Sequence, residues 1–151
     1  MTANKNFTTT LRVNRSPEDV FKTIMNVQSW WSGLYGEQFE GSFNQVNDEF
    51  TFTAGNGMHY SKQQLTELIP NKMVSWLVTD SKLDFLKDKN EWTNTRICFE
   101  LTEQDGQTLV LFTHIGLVPE VECYTSCAPA WTRYIHEQLL KVLDSSIALE
   151  V

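Results

Sequence analysis

The chain has little of what would mark it as a nucleic-acid, membrane or disulfide-framework protein. Its twelve Lys and Arg residues are scattered singly among nineteen acidic ones, giving a net charge of −7. A phosphate-binding face needs clustered cations, so that balance excludes nucleic acid as a partner and mainly serves solubility. No segment approaches the roughly twenty consecutive apolar residues of a membrane-spanning helix, and the amino terminus has no signal-like apolar core. Three cysteines, Cys98, Cys123 and Cys127, make an odd count without framework spacing. That usage is expected of a protein of the reducing cytoplasm. Repeats, low-complexity tracts and Pro/Gly-rich linkers are missing, so residues 1–151 are expected to form one domain. The chain contains no phosphate loop, nucleophile elbow or Cys/His nucleophile pattern, and no cofactor or metal is called for.

What is present is bulky apolar volume. Aromatic residues make up 12% of the chain, with nine Phe and five Trp. Phe7–Val13 alternates and is rich in Thr, as a first strand would be. Ser16-Pro17-Glu18-Asp19 is a helix start: Ser16 caps, Pro17 fits the first turn, and the acids favour the positive end of the helix dipole. Val20, Phe21, Ile24 and Met25 give that helix a buried stripe. Gln28–Leu34 reads as a second, short helix or turn. Six strands follow, at Gln38–Ser42, Glu49–Ala54, Met58–Leu68, Lys72–Asp80, Thr95–Glu103 and Gln107–Ile115. Ser81–Glu91 reads as a loop. A last helix starts near Val121 or Ala128 and reaches Leu143, with Cys127, Trp131, Ile135, Leu139, Val142 and Leu143 along its apolar face. Hairpin-length connections imply an antiparallel sheet.

The Asp105-Gly106 pair sets a register. A two-residue turn there opposes Gln104 to Gln107, Leu101 to Val110, Phe99 to Phe112 and Ile97 to His114, all on one face. Arg96, Cys98, Glu100 and Thr113 then point outward. The last helix lays Trp131 and Ile135 over the inner face, and several large rings are difficult to pack without leaving a void. The expected lining is Phe50, Phe52, Tyr60, Trp76, Ile97, Phe99, Phe112, His114, Trp131 and Ile135. His114 either orients a ligand or is buried and satisfied by a backbone carbonyl. His59 is a candidate for the rim. His136 is expected to be exposed. One ring of the Trp30-Trp31 doublet is expected in the core, the other at solvent or a ligand mouth. Cys123 and Cys127, four apart, offer two ligands where a metal site wants three or four.

These residues carry a resemblance. Ser16-Pro17-Glu18-Asp19-Val20-Phe21, Trp30-Trp31, Thr95-x-Ile97-x-Phe99-x-Leu101, the run from Thr108 to Leu117, Trp131 and Leu139 resemble the START-like, Bet v 1-like (SRPBCC) superfamily. Within it, the chain is most similar to homologues of the activator of heat-shock-protein-90 ATPase, in their carboxy-terminal-domain form. The resemblance implies an α+β helix-grip fold: a curved antiparallel sheet of six to seven strands around a long carboxy-terminal helix, with two short helices after the first strand. It implies non-enzymatic binding of a small hydrophobic or amphipathic molecule, lipid-like or aromatic, between sheet and helix. The alternatives it carries are a co-chaperone module contacting a heat-shock-protein-90, and a polyketide cyclase- or dehydratase-like enzyme using His114 as acid or base.

Overall fold

The computed structural model describes residues 5–143, so the two ends of the expected 1–151 domain lie outside it. Seven strands form one antiparallel sheet in the order β1-β7-β6-β5-β4-β3-β2. They are β1 (Phe7–Val13), β2 (Gln38–Gly41), β3 (Glu49–Ala54), β4 (His59–Ile69), β5 (Met73–Leu83), β6 (Arg96–Gln104) and β7 (Gln107–Ile115). Strands β2 to β7 run as a meander, and β1 closes on the far edge beside β7. This is the helix-grip α+β architecture expected from the sequence.

The local chemistry of the expected elements is found in place. Ser16 Oγ accepts the Asp19 amide hydrogen at 3.2 Å and opens α1 (Pro17–Met25), which buries Val20, Phe21 and Ile24. A one-turn helix, α2 (Val27–Trp30), follows. Asp105 and Gly106 both adopt positive φ, 51° and 80°, as a two-residue hairpin turn with the strands' own twist requires. Gln104 faces Gln107, Leu101 faces Val110, Phe99 faces Phe112 and Ile97 faces His114. Beyond Gln104 and Gln107 at the turn, this inner set is buried.

Three expectations needed correction. Strand β5 continues through Ser81 to Leu83, into the segment read as a loop, because Ser81 and Leu83 both turn inward opposite Ser61 and His59. Polarity there misleads: the Ser81 hydroxyl is satisfied by Thr93 Oγ1 at 2.8 Å. Cys98 lies on the outer face yet is buried, with Ser75 Oγ 3.2 Å from its sulfur, and that burial pushes its thiol up from the ordinary range. His136 is half-buried, its Nε2 2.7 Å from Thr9 Oγ1, because the last helix leans on β1. Of the Trp30-Trp31 doublet, Trp30 is enclosed in the core, while Trp31, also buried, borders the cavity described below.

The last helix, α3, begins at Tyr124, runs to Arg133, and passes into a π-helical turn over Tyr134–Leu139 before resuming to residue 143. Its buried residues include Cys127, Trp131, Ile135, Leu139 and Leu143. A four-residue repeat drifts around a helix of 3.6 residues per turn. The wider turn offsets that drift and keeps the apolar row on the sheet.

One polar chain crosses this interface. Trp131 Nε1–H donates to His114 Nδ1 at 2.9 Å, so the imidazole hydrogen sits on Nε2. That nitrogen donates to Thr95 Oγ1 at 2.8 Å, and the Thr95 hydroxyl donates to the Trp92 carbonyl at 2.6 Å. The chain links helix, β7 and the segment leading into β6, and His114 is fully buried within it. Burial pushes its pKa down to about 3, with nearby His59 adding to the effect, so the ring is neutral at neutral pH.

Because the unfolded chain protonates His114 near pH 6.5, the stability from its neutral form is complete above that pH and is lost as pH falls toward the folded value. One such group contributes a slope of about 1.4 kcal/mol per pH unit in that window. Urea unfolding at pH 7 and pH 5 should therefore show wild type losing about 2 kcal/mol more than His114→Gln. Equal losses would show that His114 is not held neutral. Gly116 sits at φ 101°, and a Cβ there would lie 2.7 Å from Thr95 Cγ2. Gly116→Ala should destabilise by about 2 kcal/mol or more, since it strains the backbone and displaces the Thr95 link. Thermal unfolding checks this, and an unchanged midpoint would contradict it.

Candidate functional site

The interior between sheet and helix is filled along most of its length. Trp30 donates its indole hydrogen to the Ile24 carbonyl at 3.0 Å and stacks on Trp31, centroids 5.9 Å apart. Trp31 in turn lies over Phe52 at 4.3 Å with an interplanar angle of 18°. Phe99 packs between Trp30 and Phe112, at 5.3 and 5.0 Å. The doublet is thus a plug. The space it leaves is a cavity of about 260 Å³ displaced to one end of the sheet, beside the start of α3.

Three groups of residues wall that cavity. Phe52, Ala54 and His59 come from β3 and β4; Ser126, Cys127, Ala130, Trp131 and Tyr134 come from the last helix. Loops supply Trp31, Tyr35, Gly55, Met58, Phe85 and Trp92. Of the ten residues expected as a lining, Phe52 and Trp131 border this cavity. Phe50, Trp76, Ile97, Phe99, Phe112 and Ile135 belong to the packed core. Tyr60 alternates with the cavity-facing His59 and lies on the other face of β4. His114 sits one layer behind, reaching the cavity wall only through the rings of Trp92 and Trp131, at 4.7 and 5.9 Å. Both its nitrogens are already engaged.

The loop walls are held by carboxylates. Glu37 accepts the amide hydrogens of Leu34 and Tyr35, each at 3.2 Å, and the Tyr134 hydroxyl at 2.6 Å. Burial, followed by Glu37, pushes the Tyr134 phenol well above its usual range. Glu91 accepts the Glu122 and Cys123 amides at 2.8 and 2.6 Å, which satisfies donors at the entry to α3. Glu122 reciprocates by accepting the Lys87 and Asp88 amides, which hold its carboxyl below the ordinary range. These two latches fix Tyr35 on one loop, and Phe85 and Trp92 on the other. Sequence reading missed Phe85 and Trp92 because both stand in a polar stretch; the signal available was their size, since large rings rarely sit idle in a charged loop.

Ser126, Tyr35 and Tyr134 are the hydroxyl-bearing residues of the wall, and two of its rings carry buried nitrogens. His59 Nε2 and Trp92 Nε1 are both buried without a hydrogen-bond partner. Their rings meet edge to face, centroids 4.5 Å apart. Burial pushes the His59 pKa down to about 4, leaving it neutral at neutral pH. No charged residue lines the wall. Cys123 and Cys127, Cα atoms 5.6 Å apart, bring their sulfurs into contact across the entry of α3. Among the described residues no group of three His, Cys, Asp or Glu is placed to hold a metal ion, and no helix is long and apolar enough to cross a membrane.

With that geometry in view, the chain was compared with known proteins. No curated protein sequence matches it. Among solved structures, the Aha1 dimer of Colwellia psychrerythraea superposes with a TM-score of 0.69 at 23% identity, covering 93% of this chain and 94% of that one. Protein Ms6760 of Mycobacterium smegmatis gives 0.70 at 11% identity, covering 93% and 91%. An HSP90 activator from Plasmodium falciparum gives 0.59 at 14% identity, covering 91% and 96%. At these identities the likeness establishes the fold alone. The sequence itself matches the model of the Activator of Hsp90 ATPase homolog 1-like protein family over residues 14–144. The chain belongs to that family, within the SRPBCC superfamily.

Proposed function

We propose that this protein binds a small neutral apolar or aromatic molecule, without transforming it, in the cavity walled by Trp31, Phe52, His59, Trp92, Trp131 and Tyr134. The observation that carries the reading is the cavity itself: about 260 Å³, apolar, and rimmed by the exposed side chains of Tyr35, Met58 and Phe85. An apolar cavity of about 150 Å³ accepts a benzene ring. This one has room for a ligand of one to two rings. Affinity comes from burying apolar surface at about 25 cal/mol per Å², less the cost of association. The aqueous phase of the reducing cytoplasm suits such a carrier.

A co-chaperone role is the second reading. It is supported by the family's description and by the fold shared with the Plasmodium activator. It would use the outer faces of the molecule rather than the cavity. A cyclase-like enzyme acting through His114 gains no support, because that ring has no nitrogen free to exchange a proton with a substrate.

Naphthalene should quench the tryptophan fluorescence saturably, at one site, and raise the unfolding midpoint. Ala130→Phe, which fills the cavity from the helix side, should weaken that binding by about ten-fold or more while the protein stays folded. Absence of saturable binding to wild type would overturn the reading. Stimulation of a heat-shock-protein-90 ATPase that survives Ala130→Phe would assign that activity to the outer surface.

A further inference from the structure

The entry of α3 carries a pair of cysteines, Cys123 at the helix cap and Cys127 four residues on, joined through their sulfurs. The bond is not a staple. Cys127 N–H already donates to the Cys123 carbonyl at 2.7 Å, so the helical turn holds the pair together without it. A cross-link that closes so short a loop also restricts the unfolded chain least. The Cα separation of 5.6 Å lies within the range that disulfides span, so the bond can form and break with the backbone in place. What the pair does reach is the cavity. Cys127 belongs to its wall and keeps a little exposed surface, whereas Cys123 has none. The Cys123 amide is fixed by Glu91 Oε1 at 2.6 Å, beside Trp92, another residue of the wall.

We propose that Cys123 and Cys127 are a reversible dithiol–disulfide site whose oxidation state sets how much of the cavity a ligand can occupy. The ligand half of this proposal rests on the cavity-binding reading above. In the dithiol the two sulfurs part to non-bonded contact. Cys123 is enclosed and anchored through its amide, so the sulfur that moves is that of Cys127, and the space open to it is the cavity. Reduction thus places a sulfur in the cavity, and oxidation withdraws it. Linkage is reciprocal, so a bound ligand favours the bridge as the bridge favours the ligand. Hydrogen peroxide is a small enough oxidant to reach Cys127 through the cavity. The Cys127 thiolate attacks one peroxide oxygen, giving a sulfenic acid and releasing hydroxide. The Cys123 thiolate, already in contact, attacks that sulfur; the sulfur–sulfur bond forms and the hydroxyl leaves as water. Together the thiols lose two electrons and two protons, and the peroxide becomes two waters. A small dithiol reverses the change by exchange at the Cys127 sulfur, closing its own disulfide. Cys98, beside Ser75 on the outer face of the sheet, takes no part.

The test starts from the full chain, reduced with dithiothreitol and then freed of it. Peroxide should remove two hydrogens from the intact mass, with the bridge mapped to Cys123 and Cys127 after digestion, and dithiothreitol should restore them. Calorimetry with naphthalene should show the bridged form binding about five-fold or more tighter than the dithiol. Cys127→Ala, which cannot bridge, should bind naphthalene equally before and after peroxide. Failure of the pair to bridge, or a bridge in the folded protein that dithiothreitol does not reopen, would overturn the redox site. Reversible bridging with equal naphthalene affinities in the two states would overturn its control of the cavity. So would a peroxide effect that persists in Cys127→Ala. Naphthalene bound by neither state would overturn the cavity reading and that control together.

Discussion

Everything in this molecule is arranged around one indole. Trp131 projects from the last helix onto the sheet, and its N–H has a single acceptor, Nδ1 of a histidine buried on β7. The hydrogen bond fixes the imidazole tautomer, the tautomer fixes the donation to Thr95, and Thr95 holds the carbonyl of Trp92. A network of this kind is stable only when every member is satisfied. It sets the depth and rotation of the helix, and it sets where the Trp92 segment crosses the end of the sheet. The two indoles stack on each other, centroids 5.9 Å apart, and together border the cavity.

The aromatic plug decides where the void falls. A helix-grip fold encloses a long trough, and here Trp30, Trp31, Phe99 and Phe112 fill its middle. Filling the middle stabilises the core and shifts the remaining volume to the loop end. There the loop part of the wall depends on carboxylate latches, beside a part held by strand pairing. Scaffold and loops share the wall: β3, β4 and the last helix supply one part of it and the latched loops the rest.

Much of the scaffold could be read from local chemistry. Asp105-Gly106 dictated a hairpin register that holds to the last pair, and Ser16 with Pro17 marked a helix start that the structure keeps. Alternation then identified Ile97, Phe99, Val110 and Phe112 as inward. Whether such residues border a void or fill it is a property of three-dimensional packing, which periodicity does not carry. For that reason the expected lining was spread along the trough, while the cavity gathers Phe52 and Trp131 with Tyr35, Phe85, Trp92 and Tyr134. Likewise no pattern in the sequence separates a satisfied histidine from an unsatisfied one. His114 had the more suggestive neighbours, yet its partners are complete, and His59 is the ring with a nitrogen left over.

The proposed binding site is the apolar cavity that Trp92 and Trp131 both border. Indole N–H resonances report on it directly, because the chain has five tryptophans spread between plug, core and cavity. In a heteronuclear titration with naphthalene, the Trp92 and Trp131 indole signals should shift together and saturably, with those of Trp30 and Trp76 left in place. Saturable shifts centred on Trp30 or Trp76, or none at Trp92 and Trp131, would contradict it.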